Sequence, residues 1–258
     1  MNRQARQKYI LEKIKIDGVI NSTDIARDLS VSLLTIRRDL KILSSQGFIE
    51  LTHGGAINTE INILEYPMSI KMDTYLEEKK AIANYCLSLV KPNHSIYLDT
   101  GSTTLLIAKK LINIEGCIIH TNSLLIMNSL SKITGVNLHS VPGKYRDLSK
   151  GFIGVETIEY VSERYFDICF MGTDAISETG VVSLPTEDDA FTKKAIIKSS
   201  KNSVLVADSS KFNRQALYAI GNISDFSYVV TNLSSESDLF KNLNSINRNI
   251  ISVCNSVE

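Results

Sequence analysis

The chain has 258 residues, 43% hydrophobic and 22% charged, a balance that excludes a disordered polymer and supplies apolar material for about two domains. Its 28 basic and 28 acidic residues cancel, so a nucleic-acid surface, if present, must be local. Residues 1–57 hold 9 Lys+Arg against 6 Asp+Glu, net +3, and the remainder is net −3. The opening Met1-Asn2-Arg3-Gln4-Ala5-Arg6-Gln7-Lys8 leads into an amphipathic stretch, not the apolar core of a secretion signal, and no apolar run approaches the ~18 residues of a membrane span. A cytoplasmic protein without a membrane partner is expected. Cys86, Cys117, Cys169 and Cys254 form no CxxC, and His53, His94, His120 and His139 have no partners at ligand spacing; reduced thiols, no metal site and no cofactor are expected.

Tyr9, Ile10, Leu11 and Ile14 predict a helix that Gly18 stops, followed by a short Val19-Ile20 stretch. Ser22 or Thr23 is placed to cap a second helix through Leu29, because a short hydroxyl side chain satisfies first-turn amides. Ser30-Val31-Ser32 makes a turn, and Ser32 caps a third helix whose Leu33, Ile36, Leu40 and Leu43 form one apolar stripe. The opposite face carries Thr35, Arg37, Arg38 and Lys41. On an ordinary helix that face is simply solvated; as the second helix of a helix-turn-helix it enters the major groove, where arginine takes guanine or neutralises phosphate. The tail Gly47-Phe48-Ile49-Glu50-Leu51-Thr52-His53-Gly54-Gly55, two short strands around a turn, favours the second reading by supplying a wing.

Val31-Ser32-Leu33-Leu34-Thr35-Ile36-Arg37-Arg38-Asp39-Leu40 followed by His53-Gly54-Gly55-Ala56 resembles the DeoR-type winged helix-turn-helix of bacterial regulators. The resemblance implies that Ser32, Thr35, Arg37 and Arg38 belong to the DNA-reading helix; Lys41 on the same helix face and His53 in the wing are expected to bind DNA with them. Glu50 departs from the pattern, standing where the family usually carries a basic residue. Residues 58–74, with Pro67 and little periodicity, read as a connector between a DNA-binding domain at 1–57 and a second domain at 75–258.

In that second domain Glu77 to Val90 reads as a helix with Ile82, Cys86 and Leu89 on one face. Short apolar strands then alternate with helical stretches: 95–98, 117–120, 136–141, 167–170, 204–207 and 228–230. Alternation of this kind predicts a mainly parallel α/β sheet that binds ligands beyond the carboxyl ends of its strands. Those ends carry Asp99-Thr100-Gly101-Ser102-Thr103-Thr104, Thr121-Asn122-Ser123, Pro142-Gly143-Lys144, Met171-Gly172-Thr173-Asp174 and Asp208-Ser209-Ser210-Lys211. Singly each is a turn, a cap or a surface charge. Together they offer carboxylates for sugar hydroxyls and glycines, hydroxyls and amides for an anion, which suits a small phosphorylated polyol.

This half resembles the sensor domain of the same family, similar in fold to ribose-5-phosphate isomerase. The motifs are Glu78-Lys79-Lys80-Ala81-Ile82-Ala83, the strand ends above, Glu187-Asp188-Asp189-Ala190 with Lys194, and Ala207-Asp208-Ser209-Ser210-Lys211-Phe212. The resemblance implies a phosphorylated sugar as effector, lined by Asp99, Gly101, Ser102, Thr103, Thr104, Asn122, Gly143, Glu187, Lys194, Asp208 and Lys211; Ser123 and Asp174 join them from the strand-end reading. Pro142-Gly143 stands where the family commonly has two glycines.

The alternative is a sugar-phosphate isomerase-like enzyme with an appended DNA-binding module, using Glu187, Asp174 and Lys194 as acids and bases. The isomerases of this fold carry a Lys-Gly-Gly-rich loop; here the stretch is Gly180-Val181-Val182-Ser183-Leu184-Pro185-Thr186, with one glycine and no lysine. The sequence therefore points to no catalytic residues and to a sugar-phosphate-responsive transcription factor, a repressor. Its expected partners are a double-stranded DNA operator, bound as a homo-oligomer (dimer or tetramer), and the effector that releases it.

Overall fold

The computed structural model describes residues 2–17, 19–46, 48–52, 54–58, 68–112 and 114–254. They divide into two compact units, Met1–Ile70 and Lys71–Glu258.

The first unit runs α1 (Arg3–Asp17), β1 (Val19–Asn21), α2 (Ser22–Asp28), α3 (Leu33–Ser45), β2 (Ile49–Thr52) and β3 (Gly55–Asn58). Ile10, Leu11 and Ile14 of α1, Ile25 of α2 and Ile36, Leu40 and Leu43 of α3 form its core. Leu33, expected on the buried stripe, is only half-buried because the stripe begins one turn later, and the place between Ile36 and Leu43 is shared by Asp39. Asp39 is 1% exposed and paired with Arg6 Nε at 2.7 Å, which ties α3 to α1. The cap of α2 is also not the one expected: Asn21 Oδ1 accepts from Thr23 N, one residue ahead of Ser22 and two ahead of Thr23. The wing is three-stranded, in the order β1-β3-β2, antiparallel throughout. Gly55 permits it, since a Cβ there would lie 1.8 Å from the Ile20 carbonyl oxygen.

The second unit begins within α4 (Met68–Asp73), a helix inside the stretch read as connector; residues 59–67 of that stretch lie outside the described residues. There follow α5 (Leu76–Cys86), extended by a 3-10 turn over Leu87–Leu89, β4 (Ser95–Leu98), α6 (Ser102–Leu111), β5 (Ile118–Thr121), α7 (Leu124–Leu130), β6 (Asn137–Ser140), β7 (Lys144–Arg146), β8 (Gly151–Ile153), α8 (Val155–Ser162) and β9 (Phe166–Gly172). The chain finishes with β10 (Ala175–Ile176), β11 (Val181–Leu184), α9 (Glu187–Lys198), β12 (Ser200–Ala207), β13 (Tyr218–Asn222), β14 (Tyr228–Thr231), α10 (Asp238–Ile246) and β15 (Ile250–Ser252).

Seven of these strands form one parallel sheet in the order β15-β14-β12-β9-β4-β5-β6. Alternation along each strand sorts the core into two layers. Ile96, Leu98, Ile168, Phe170, Val204 and Val206 meet α5, α6 and α7 on one face, while Tyr97, Cys169, Met171 and Leu205 meet α8, α9 and α10 on the other. All six predicted strands are present. The seventh, β15, and the small antiparallel elements β7-β8 and β10-β11-β13 were not predicted, being two to five residues long with no distinctive period. Cys86, Cys117 and Cys169 are buried free thiols and Cys254 is an exposed one. No helix among the described residues is long and apolar enough to cross a membrane.

Candidate functional site

The first unit presents α3. Ser32 caps it, accepting from Thr35 N at 3.2 Å and sharing a 2.8 Å bond with the Thr35 hydroxyl, so the start of the helix is locked by its own side chains. Arg37, Arg38 and Lys41 are exposed and make no ion pair with any described residue. Arg37 and Lys41 line an open cleft of about 280 Å³ between α3 and the β2-β3 hairpin, whose other wall includes Leu51, Thr52 and Gly54. Two cations that have no ion-pair partner among the described residues, set beside this hairpin, are suited to a phosphate backbone. His53 and the side chain of Glu50 lie outside the described residues.

The second unit has its own focus. Strand order reverses between β4 and β9: from β4 the chain adds β5 and β6 on one side, then returns to place β9, β12, β14 and β15 on the other. An open parallel sheet leaves its crevice at such a switch point, outside the carboxyl ends of the strands. Asp99 and Gly172 terminate the two strands there. Asp99 is fully buried, its Oδ2 accepts from Gly172 N at 3.2 Å and pairs with Lys193, and Lys193 also donates to the Gly172 carbonyl at 3.1 Å. Burial opposes the charge on Lys193, yet Asp99 and Asp189 outweigh it and raise its pKa.

A second ionic group adjoins the first. Asp174 Oδ1 lies 2.8 Å from Lys71 Nζ and 3.8 Å from Lys211 Nζ. Burial opposes ionisation of Asp174, but these two ammonium groups hold its carboxyl below the usual range. Lys79, 3% exposed, donates to the Lys71 and Thr74 carbonyls at 2.6 and 2.7 Å and lies 3.7 Å from Asp208. Burial brings Lys79 down to about 8 against the pull of Asp208, and burial likewise lowers Lys211. Asp208 also takes the Ser210 amide and hydroxyl.

Next to Asp99, Gly101 caps α6 and Ser102, Thr103 and Thr104 form its buried first turn, whose amides have no partner within the helix. Asn122, fully buried at the end of β5, donates Nδ2 to the Phe152 carbonyl at 2.8 Å. Its Oδ1 and Asp99 Oδ1 are both buried without a hydrogen-bond partner among the described residues. Ser123 is used locally, accepting from Ile126 N to cap α7. Gly143 is fixed by packing: a Cβ there would meet Thr157 Oγ1 at 2.2 Å, and that hydroxyl donates to the Pro142 carbonyl at 2.6 Å.

Two expected residues do not join this cluster. Lys194 is exposed, its Nζ 5.8 Å from the Phe191 ring; the lysine delivered to the crevice is its neighbour Lys193. The reason is helical phase: Asp189, Thr192, Lys193 and Ile196 share one buried face of α9, and Lys194 is turned about 100° from Lys193, at the edge of that face. Glu187 is exposed at the start of α9, lining a separate cleft of about 370 Å³ with Lys144, Tyr145, Arg146 and Thr186. Lys71, Lys79 and Lys193 were missed by sequence reasoning. For Lys79 a signal existed: with Ile82 and Cys86 it falls at i, i+3 and i+7 on the apolar face of α5, and a lysine there must find buried oxygen.

Two family models match the chain: the DeoR-like helix-turn-helix domain over residues 6–61 and the DeoR C terminal sensor domain over residues 74–233. The glycerol-3-phosphate regulon repressor of Escherichia coli K12 is 31% identical over 90% of this chain and 91% of that protein. A putative aga operon transcriptional repressor of Escherichia coli O157:H7 is 30% identical over 83% and 81%. Among solved structures, ribose 5-phosphate isomerase A from Methanocaldococcus jannaschii is similar at a TM-score of 0.38 and 20% identity, over 52% of this chain and 53% of that one, a likeness slight enough that the fold rests on the sheet order alone. With the sensor model spanning more than half of its length, the chain belongs to the DeoR family of DNA-binding transcriptional regulators.

Proposed function

We propose that this protein is a repressor whose paired winged helices hold two operator half-sites, and that a phosphorylated sugar or polyol bound at the β4-β9 crevice releases it. The observation that carries the effector reading is the pair of buried, unpartnered oxygens, Asp99 Oδ1 and Asn122 Oδ1, beside the first turn of α6. A buried acceptor without a donor costs roughly 1–3 kcal/mol, and ligand hydroxyls donate. The α6 amides favour the phosphate end of the same molecule. A polyol phosphate satisfies both sets at once. The matched relative named for glycerol-3-phosphate agrees with that class.

Two half-sites follow from the size of the reading unit, since a single small module buries too little surface for operator-level affinity. The isomerase alternative is not favoured. Within the stretch Gly180–Thr186 that would carry the lysine-bearing loop, Val181–Leu184 form β11, paired with β10 and β13, and the relatives above are named repressors.

The test is fluorescence anisotropy on DNA from upstream of the protein's own gene against a scrambled duplex at matched salt, followed by titration with a panel of sugar and polyol phosphates. Preferential binding reversed by one compound is expected. Equal binding to both duplexes under every condition overturns the operator reading, and preferential binding that no phosphate reverses overturns the effector reading.

A further inference from the structure

We infer that Leu34 is a base-reading residue of α3, packing its side chain on the C5-methyl group of a thymine in the major groove of the operator. The inference rests on the operator reading above and adds to it a residue with no charge and no hydrogen-bonding group in its side chain.

A single exposed leucine is ordinary on a protein surface. Leu34 is set apart by its place. It is 71% exposed at the second position of α3, the helix whose first turn enters the groove in a helix-turn-helix. With exposed Arg37, Arg38 and Lys41 it stands at i, i+3, i+4 and i+7, one stripe opposite buried Ile36 and Leu43. At about 100° per residue, Arg37 and Lys41 lie about 60° and 20° to one side of Leu34 and Arg38 about 40° to the other. The first pair faces the β2-β3 hairpin, lining the cleft of about 280 Å³ with Leu51 and Thr52, and Arg38 stands on the far flank.

That order matches a major groove. Its rims are two phosphate strands, which cations on either flank neutralise, and its floor is base edges, which fall to the side chain between them. Under a leucine, the donors and acceptors of guanine, adenine and cytosine lose hydrogen bonds to water, whereas the thymine methyl is apolar and gains from the contact. The neighbouring Thr35 does not compete for this place: its hydroxyl shares a 2.8 Å bond with Ser32 in the helix cap, and the residue is half-buried.

The test selects bound duplexes from a random library with the full wild-type chain. Anisotropy then follows binding to the selected site with single thymines replaced by deoxyuridine, which lacks only the C5-methyl group. In the wild type, one such replacement in each half-site is expected to weaken binding about fourfold, the scale of one buried methyl group. Leu34→Ala removes atoms that lie mostly in solvent, so the fold is retained. This variant is expected to bind the unmodified site about fourfold more weakly than the wild type and to be insensitive to the same replacement. A selected site at which no deoxyuridine weakens wild-type binding overturns the inference while the operator reading stands. Wild-type affinity in Leu34→Ala, or equal sensitivity of the two proteins to deoxyuridine, does the same. A wild type that enriches no sequence overturns both.

Discussion

The main chain of Gly172 is engaged at both its polar groups by a single ion pair: its amide donates to Asp99 Oδ2 at 3.2 Å and its carbonyl accepts from Lys193 at 3.1 Å. Asp99 and Lys193 are bonded to each other, so the junction of β4 and β9 is closed by a side-chain ring at the floor of the crevice. Removing one member leaves the other charged and buried. Asp99→Ala is expected to cost roughly 3–5 kcal/mol in urea unfolding, and the double variant Asp99→Ala with Lys193→Met to recover part of that loss. A single-variant loss below about 1 kcal/mol contradicts the account.

Gly55 decides whether the wing forms. A methyl group at this position meets the Ile20 carbonyl at 1.8 Å, a backbone atom that cannot rotate away, so the β1-β3 pairing must open. Gly55→Ala is expected to destabilise the N-terminal unit and to weaken operator binding in anisotropy, with the second unit's near-ultraviolet signal preserved. Wild-type affinity in this variant removes the wing from the proposed interface.

Operator and effector roles are expected to separate by residue. Arg37→Ala removes an exposed cation from α3 and is expected to weaken operator binding by about 10–100-fold while leaving phosphate binding unchanged. Lys211→Ala is expected to do the reverse, retaining operator binding and losing its reversal by ligand. Two variants that behave alike in both assays refute separable roles.

Acid sensitivity is expected from a histidine at the far side of the sheet. His120 stacks on His139 at 4.6 Å between ring centroids and shares a 3.1 Å bond with the Tyr160 hydroxyl. Burial first, then the charges of His139 and Arg164, lower its pKa from 6.5 to about 4. The unfolded chain therefore binds this proton more readily than the folded one between those limits. Stability from this group is complete above pH 6.5 and falls as pH drops toward 4, by up to about 3 kcal/mol. In His120→Gln the decline in urea midpoint between pH 6.5 and 4.5 should be shallower; an unchanged slope assigns the loss to other groups.

Much of the crevice was legible because its residues follow the ends of apolar strands, and strand ends are a property of local pattern. Asp99, Asn122, Asp174 and Asp208 were all found in this way, and each lies buried at the carboxyl edge of the sheet. Lys194 in place of Lys193 shows where local pattern stops. The two are adjacent in a helix, and only the phase of α9 against the sheet, with Asp189, Thr192 and Ile196 buried, turns one inward and the other to solvent. Gly143 and Ser123 were legible as residues, but the structure uses both locally, one for close packing against Thr157 and one as a helix cap.

Periodicity and turn chemistry, which act over a few residues, determined the helix-turn-helix, the wing, six of the seven parallel strands and the α/β class. What only the tertiary structure decided is which strands are neighbours. The reversal between β4 and β9, 68 residues apart at Leu98 and Phe166, depends on burying two faces of one sheet under helices from both halves of the domain. The same long-range packing brings Lys71 to Asp174, 103 residues away, and Lys193 to Asp99, 94 residues away. Buried charges pair with whatever the fold places beside them, so their partners are fixed by the packing of distant elements and not by the local sequence.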